Sequence, residues 1–328
     1  MKILILKGNE ILDLLPMEGC ISLMSDALGS LARGEVYHPL RTIVRPPDSR
    51  GLLVTMPAYS SGERGAFGVK VICVFPDNPV IGKDAHQGGV LLFSRDTGEL
   101  LALMNASAIT ALRTAAVSAV AARLLSREDA GQLTIIGAGV QARTHLNSFS
   151  SVRSIKKARV VCRNLAHAQK LKTEMERNLN FEIEPGVDVE KAVRAGDLIV
   201  TATNAHEPVI RREWVSDGAH ITAIGTHSPA TREIDGKTMS VARIFVDRRE
   251  SAMNEAGEYI LALKEGLITE QSILAEIGEV LNGTKSGRTS ESEITLFKSL
   301  GLAIEDVACA EYLYGKAKNH GVGTWVEY

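Results

Sequence analysis

The sequence predicts an α/β protein: a doubly wound parallel sheet in the middle of the chain, joined to a smaller α+β domain. Three observations predict it. Strand-like and helix-like segments alternate between residues 132 and 247. A glycine-rich turn joins the first of those strands to the helix after it. Before residue 105 the chain instead carries apolar runs broken by turn residues.

The elements follow in order. Ile3-Leu4-Ile5-Leu6 reads as a first strand; it is too short for a signal-peptide core and no small-residue cleavage site follows it. Apolar runs at 52–60, 67–75 and 89–104 read as further strands, the last folded into a hairpin at Arg95-Asp96-Thr97-Gly98. The Ala- and Leu-rich segment 107–125 has strong helix propensity, with Asn105 or Ser107 as its cap. It is apolar nearly all round, which predicts burial. Strands are expected at 132–137, 158–162, 197–203, 220–225 and 243–247, with helices at 141–150 and 166–178. A last helix is expected at 299–317, where Leu300, Ala303, Ile304, Val307 and Ala308 recur at helical spacing. It lies beyond the sheet and is free to return to the first domain.

Composition narrows the function classes. The 328 residues fit about two domains. With 45% hydrophobic and 23% charged residues the chain is an ordinary globular one. The net charge of −2 argues against bulk nucleic acid or an anionic membrane as the main partner. No uninterrupted apolar run approaches the roughly 20 residues of a membrane helix. Cys20, Cys73, Cys162 and Cys309 are scattered, with no ligand spacing, so neither a disulfide framework nor a metal site is expected, and a cytoplasmic location fits.

The strongest local motif is TIIGAGVQA, with Gly137, Gly139 and Ala142 in the pattern GxGxxA. The glycines allow a tight turn and close approach of backbone to a pyrophosphate. The helix that follows offers free N–H groups and a favourable dipole. A strand before and a helix after make this a Rossmann-type dinucleotide site, with Val140 and Gln141 in the same loop and Thr203 at the end of a later strand. An NAD site usually has an acid about 20 residues on, bonding the ribose. Here no Asp or Glu occurs from Val140 to Thr173, and the second strand ends in Cys162-Arg163-Asn164. Arg163 is therefore the candidate to meet a 2′-phosphate, with Arg143 as a helper, and Asn164 beside it is a further cofactor-binding candidate. NADP(H) is the expected cofactor, with NAD(H) the second choice.

Two cations stand alone in apolar surroundings, and two more share a third segment. Arg113 is the sole charge between Ala102 and Ala122, and Lys70 the sole charge between Ala66 and Pro76. Arg41 and Arg45 share a face if their segment is extended. Arg and Lys are rarely buried without a partner, so these residues read either as a pocket for a small carboxylate or as structural ion pairs. His227 follows the strand ending at Gly225, where doubly wound sheets bind ligands, and can exchange protons near neutral pH. Asp235 reads as a helix cap.

At these residues the chain resembles the ornithine cyclodeaminase/μ-crystallin family. The matching segments are PLRT (39–42), MPAYS (56–60), GVKV (68–71), LLFSRDTGELLALM (91–104), ITALRTAAVSAVAA (109–122), IIGAGVQA (135–142), GAHITAIG (218–225) and ITLFKSLGLAIEDVA (294–308). The resemblance implies a substrate-binding and dimerisation domain from 1–112 with 303–328, a Rossmann domain at 113–302, and a homodimer. It implies that Arg41, Lys70 and Arg113 grip a substrate carboxylate. Lys70 and His227 are the candidate catalytic residues, His227, or a water it holds, as proton donor. Thr114 and Gln141 rank lower, as contacts near the pyrophosphate. In two places the chain departs from the cyclodeaminases: Val54 and His227 stand where those enzymes carry acids. Binding the distal ammonium of ornithine is then unsupported. The expected activity is NADPH-dependent reduction of a small cyclic imino acid, Δ1-pyrroline-2-carboxylate or Δ1-piperideine-2-carboxylate, to L-proline or L-pipecolate. The rival readings are cyclodeaminase or alanine dehydrogenase activity, and a μ-crystallin-like protein that holds NADPH without turnover as its main role. Replacing Arg113 by Ala is expected to remove most of the activity while leaving the fold intact.

Overall fold

The structure is a computed structural model that describes residues 2–61 and 65–328. It divides into two compact units, Met1–Arg113 with Gly301–Tyr328, and Thr114–Leu300.

The first unit is built on an eight-stranded sheet. Its strands are β1 (Lys2–Leu6), β2 (Val36–Tyr37), β3 (Thr42–Val44), β4 (Leu52–Ser60), β5 (Ala66–Val74), β6 (His86–Ser94), β7 (Leu100–Asn105) and a C-terminal strand, Thr324–Glu327. The order is C-terminal strand, β1, β7, β6, β5, β4, β2, with β3 also on β4. Among the described residues only β1 and β7 pair in parallel in this sheet. Register sets the two faces. Lys70 lies opposite Met56 and Val90, and Val90 opposite Met104. This face packs under the C-terminal helix, Ala303–His320, so Val54, Met56, Ile72, Val90, Leu92, Ala102 and Met104 are buried. Alternate residues on the other face form apolar rows, Tyr59–Phe67–Phe93 and Pro57–Val69–Leu91–Leu103, that are half-buried or exposed. Helices α1 (Gly8–Leu14) and α2 (Met17–Ala32), both absent from the sequence expectation, complete the unit.

Helix α3, Ala106–Leu125, begins where expected: Asn105 Oδ1 accepts from the N–H of Ala108 at 2.9 Å. Asn105 is thus the cap, while Ser107 donates to the carbonyl of His86. By length and composition this helix could cross a membrane, but most of it is buried inside the protein as a core helix is.

The second unit holds eight parallel strands: β8 (Gln132–Ile136), β9 (Lys157–Val161), β10 (Glu182–Gly186), β11 (Leu198–Thr201), β12 (His220–Ala223), β13 (Arg243–Val246), β14 (Ile273–Glu276) and β15 (Thr295–Lys298). Their order is β10-β9-β8-β11-β12-β15-β13-β14. The chain moves outward from β8 to β10, then returns to the other side of β8, so the switch point lies between β8 and β11. Alternate residues feed opposite cores. Leu133, Ile135, Leu198 and Val200 join one cluster with α4 (Val140–Ser150) and α5 (Leu165–Met175). Ile136, Ile199, Ile221 and Ile244 join the other. This is the doubly wound α/β arrangement the sequence predicts. Strands β10, β14 and β15 were not expected; Pro185 in β10 is tolerated because that strand lies at the sheet edge. The last helix starts at Ala303, four residues later than expected, because β15 reaches Lys298 and Gly301 turns the chain with φ +75°.

Candidate active site

In the first unit the isolated cations come together, and they are not bare. Lys70 is 1% exposed and its Nζ lies 2.7 Å from Asp306 Oδ2. Arg113 donates from Nη1 to Glu305 Oε2 at 2.7 Å and from Nε to Asp306 Oδ1 at 3.3 Å. The Asp306 carboxylate therefore bridges both cations. Arg41 donates from Nη2 to the carbonyl of Gly301 at 3.0 Å, whereas Arg45 is exposed. Glu305 and Asp306 occupy the first turn of the C-terminal helix, where the helix dipole favours negative charge. Sequence reading missed these two acids. The signal was available: they are the sole charges between Ser299 and Ala310, the same pattern that singled out Arg113 and Lys70.

Burial pushes the Lys70 ammonium down to about 8; Asp306 opposes the shift, and Arg113 and Arg41 add to it. For Arg113 burial works against the charge, but Asp306 and Glu305 outweigh it and hold the guanidinium above its ordinary value. Glu305 and Asp306 engage two of the five N–H donors a guanidinium carries, which leaves the Nη2 edge for another carboxylate. The cluster is both a structural ion-pair network and a place able to bind a small anion. The expectation that Arg113 can be truncated without harm to the fold does not survive this geometry, because its removal would strand two buried carboxylates.

In the second unit most of the other candidates follow the carboxyl ends of β8, β9, β11 and β12, while Thr114 lies on α3. Gly137 has φ +122°, and a Cβ there would sit 2.4 Å from the carbonyl oxygen of Ala202. Gly137 donates to the Val161 carbonyl at 2.8 Å, which locks the turn to β9. Gly139 precedes α4, and a Cβ there would meet nothing within 4 Å. The backbone is thus open at the point where the first-turn N–H groups of α4 lack intrahelical partners. That opening fits a pyrophosphate. Val140 is exposed, Ala142 is buried beneath the loop, and Gln141 uses its carbonyl to hold His145 Nδ1 at 2.7 Å. Thr114 is buried on α3, its carbonyl accepting from Ser118, which also meets His145 Nε2 at 2.9 Å.

Arg163 is exposed just beyond β9. Asn164 caps α5, its Oδ1 accepting from the N–H of Ala166 at 3.0 Å, so its amide nitrogen is the part left to face a ligand. Arg143 is ion-paired with Glu174. Thr203 is held through both its N–H and its hydroxyl by Glu233. His227 is exposed in the loop after β12. Asp235 caps the helix Gly236–Val241, as its sequence position implies.

The pattern of the ornithine cyclodeaminase/mu-crystallin family fits residues 1–321. The chain is 39% identical over 281 residues to the ketimine reductase mu-crystallin of Mus musculus, covering 86% of this chain and 85% of that protein. It is 34% identical over 326 residues to a Δ1-pyrroline-2-carboxylate reductase of Bacillus cereus, covering 99% of this chain and 100% of that one. Among solved structures, the Δ1-pyrroline-2-carboxylate reductase of Thermococcus litoralis in complex with NADH and L-proline matches with a TM-score of 0.95 and 40% identity, over 98% of this chain and 99% of that one.

Proposed function

We propose that this chain, which belongs to the ornithine cyclodeaminase/mu-crystallin family, is an oxidoreductase that reduces a small cyclic imino acid to its L-amino acid with a nicotinamide cofactor. Δ1-Pyrroline-2-carboxylate is the first substrate to try and Δ1-piperideine-2-carboxylate the second. The observation that carries the reading is the end-to-end likeness to a reductase seen with NADH and L-proline. The buried Arg113–Lys70 cluster supports it independently, because such substrates carry one carboxylate.

The first unit would hold that carboxylate through Arg113, Lys70 and Arg41, fixing the position and tilt of C2. The spare Nη2 edge of Arg113 would supply the fork, and Lys70 a compact second charge. A bound nicotinamide would supply the hydride. Carbon C2 accepts a hydride more readily when the imine nitrogen is protonated, and His227, directly or through a water, is the assigned donor. Gly137, Gly139, Val140, Gln141 and Ala142 would cradle the pyrophosphate, with Thr114 and Thr203 nearby.

The finer cofactor reading is NADPH. An exposed Arg163, with no carboxylate in the sequence from Val140 to Thr173, suits a 2′-phosphate and not a bare ribose hydroxyl pair. A homodimer is part of the same reading. The apolar rows Tyr59–Phe67–Phe93 and Pro57–Val69–Leu91–Leu103 form a broad face of the kind that subunit interfaces cover. Chiral analysis of the product formed from the imino acid and NADPH tests the function: L-proline is expected, and no new amino acid counts against it.

A further inference from the structure

Two adjacent strands of the second unit end in loops with candidate site residues. Strand β11 leads to Thr203; β12 leads to Gly225, Thr226 and His227. One fully buried carboxylate, that of Glu233, ties these loops together. Its Oε1 accepts the N–H of Thr203 at 2.8 Å and the Thr203 hydroxyl at 2.7 Å. Its Oε2 accepts the N–H of Gly225 at 2.7 Å and the Thr201 hydroxyl at 2.8 Å. The fit leaves no slack: a Cβ on Gly225 would lie 2.1 Å from the Thr203 carbonyl oxygen and 2.4 Å from Glu233 Oε1.

A second buried carboxylate supports the first. Glu258 Oε1 accepts from the Glu233 N–H at 3.0 Å and from the Thr226 hydroxyl at 2.6 Å. Its Oε2 lies 3.2 Å from Lys298 Nζ, which donates to the Thr226 carbonyl at 2.7 Å. Burying two carboxylates and an ammonium gains little over apolar packing in stability. What such a network does, and apolar packing does not, is fix the direction and register of backbone groups. The groups fixed here stand at the carboxyl ends of β11 and β12. In a doubly wound sheet that is the half of the ligand crevice across the switch point from β9 and β10, where the adenosine half docks.

We propose that Glu233 is a positioning residue for the nicotinamide half of the dinucleotide, acting through Thr203 and the 225–227 loop. The inference rests on the nucleotide-dependent reduction proposed above. Glu233→Gln tests it with little change of shape. Each carboxylate oxygen faces one backbone N–H, so in either orientation the amide NH2 of Gln opposes a donor. One loop is then released.

The experiment titrates the full chain with NADPH and with 2′-phospho-ADP-ribose, which lacks nicotinamide. NADH and ADP-ribose are run in parallel. In Glu233→Gln the affinity for NADPH should fall about tenfold, while that for 2′-phospho-ADP-ribose stays within about twofold. Equal weakening of both ligands, or of neither, overturns the proposal. If that variant does not fold, Thr201→Val removes one donor without opposing another and should show the same split at about threefold. A Thr201→Val protein without the split also overturns it. Wild-type protein that binds none of the four ligands overturns instead the nucleotide reading on which this one rests.

Discussion

The guanidinium of Arg113 occupies the space that a side chain on Gly301 would need: a Cβ there would lie 2.2 Å from Nη1. Gly301 also has φ +75°, and its carbonyl accepts from Arg41. Two of the three candidate carboxylate ligands thus rest on one glycine, at the turn into the helix that carries Glu305 and Asp306. Gly301→Ala should therefore act on substrate binding as well as on stability. The backbone penalty is about 1–2 kcal/mol, and displacement of Arg113 adds to it. Urea melts should show the lost stability, and the imino acid KM should rise. An unchanged KM would show that Arg113 does not set the substrate's position.

Arg113 itself is a keystone of the fold. Arg113→Ala leaves Glu305 and Asp306 buried with one cation fewer, and should cost about 3–5 kcal/mol in equilibrium unfolding. Arg113→Lys keeps the charge but not the fork, so it should retain more stability than activity. If Arg113→Ala melts like the wild type, the ion-pair network is not structural.

The cluster also predicts a pH dependence. Lys70 titrates near 8 because it is buried, and Arg41, Arg113, Asp306 and the nearby His86 share its field. Below pH 8 Lys70 is a cation and attracts a carboxylate; above it the charge is lost. The imino acid KM should therefore rise as pH climbs through about 8, and Lys70→Arg should flatten that rise. A KM that is flat from pH 7 to 9 in the wild type would remove Lys70 from the clamp.

Acid should destabilise the second unit through two buried imidazoles. Burial lowers His145 to about 4 and His220 to about 3. In the unfolded chain each takes up a proton near its ordinary value, about 6.5. Between that value and the folded one, the unfolded state binds more protons, so stability falls as pH drops from about 6.5 towards 4. Thermal melts across this range should show the loss, and His145→Gln should make it shallower. Parallel slopes for variant and wild type would assign the acid limb to other groups.

Cofactor choice is tested at Arg163. Arg163→Ala should lower kcat/KM with NADPH about tenfold or more while leaving NADH nearly unchanged, since only the 2′-phosphate needs the cation. Loss of both together would mean that Arg163 supports the loop and does not read the phosphate.

Signals confined to a few consecutive residues were legible in the sequence. Strand β8, the glycines at 137 and 139 and helix α4 announce themselves within twenty residues. The Asn105 and Asp235 caps are equally local. What escaped depends on partners far along the chain. Arg113 meets Glu305 across 192 positions. Lys298, buried in the four-residue strand β15, is neutralised by Glu258, and without that knowledge TLFK does not read as an interior strand. A buried charge is visible in the sequence as an anomaly, but the identity of its partner is a tertiary fact.

The central claim is tested most directly by following NADPH oxidation optically with Δ1-pyrroline-2-carboxylate, with NADH in parallel. Turnover to L-proline with NADPH, slower with NADH, is the predicted result. Absence of imino-acid-dependent oxidation with either cofactor, in a protein that binds them, would contradict the reductase assignment.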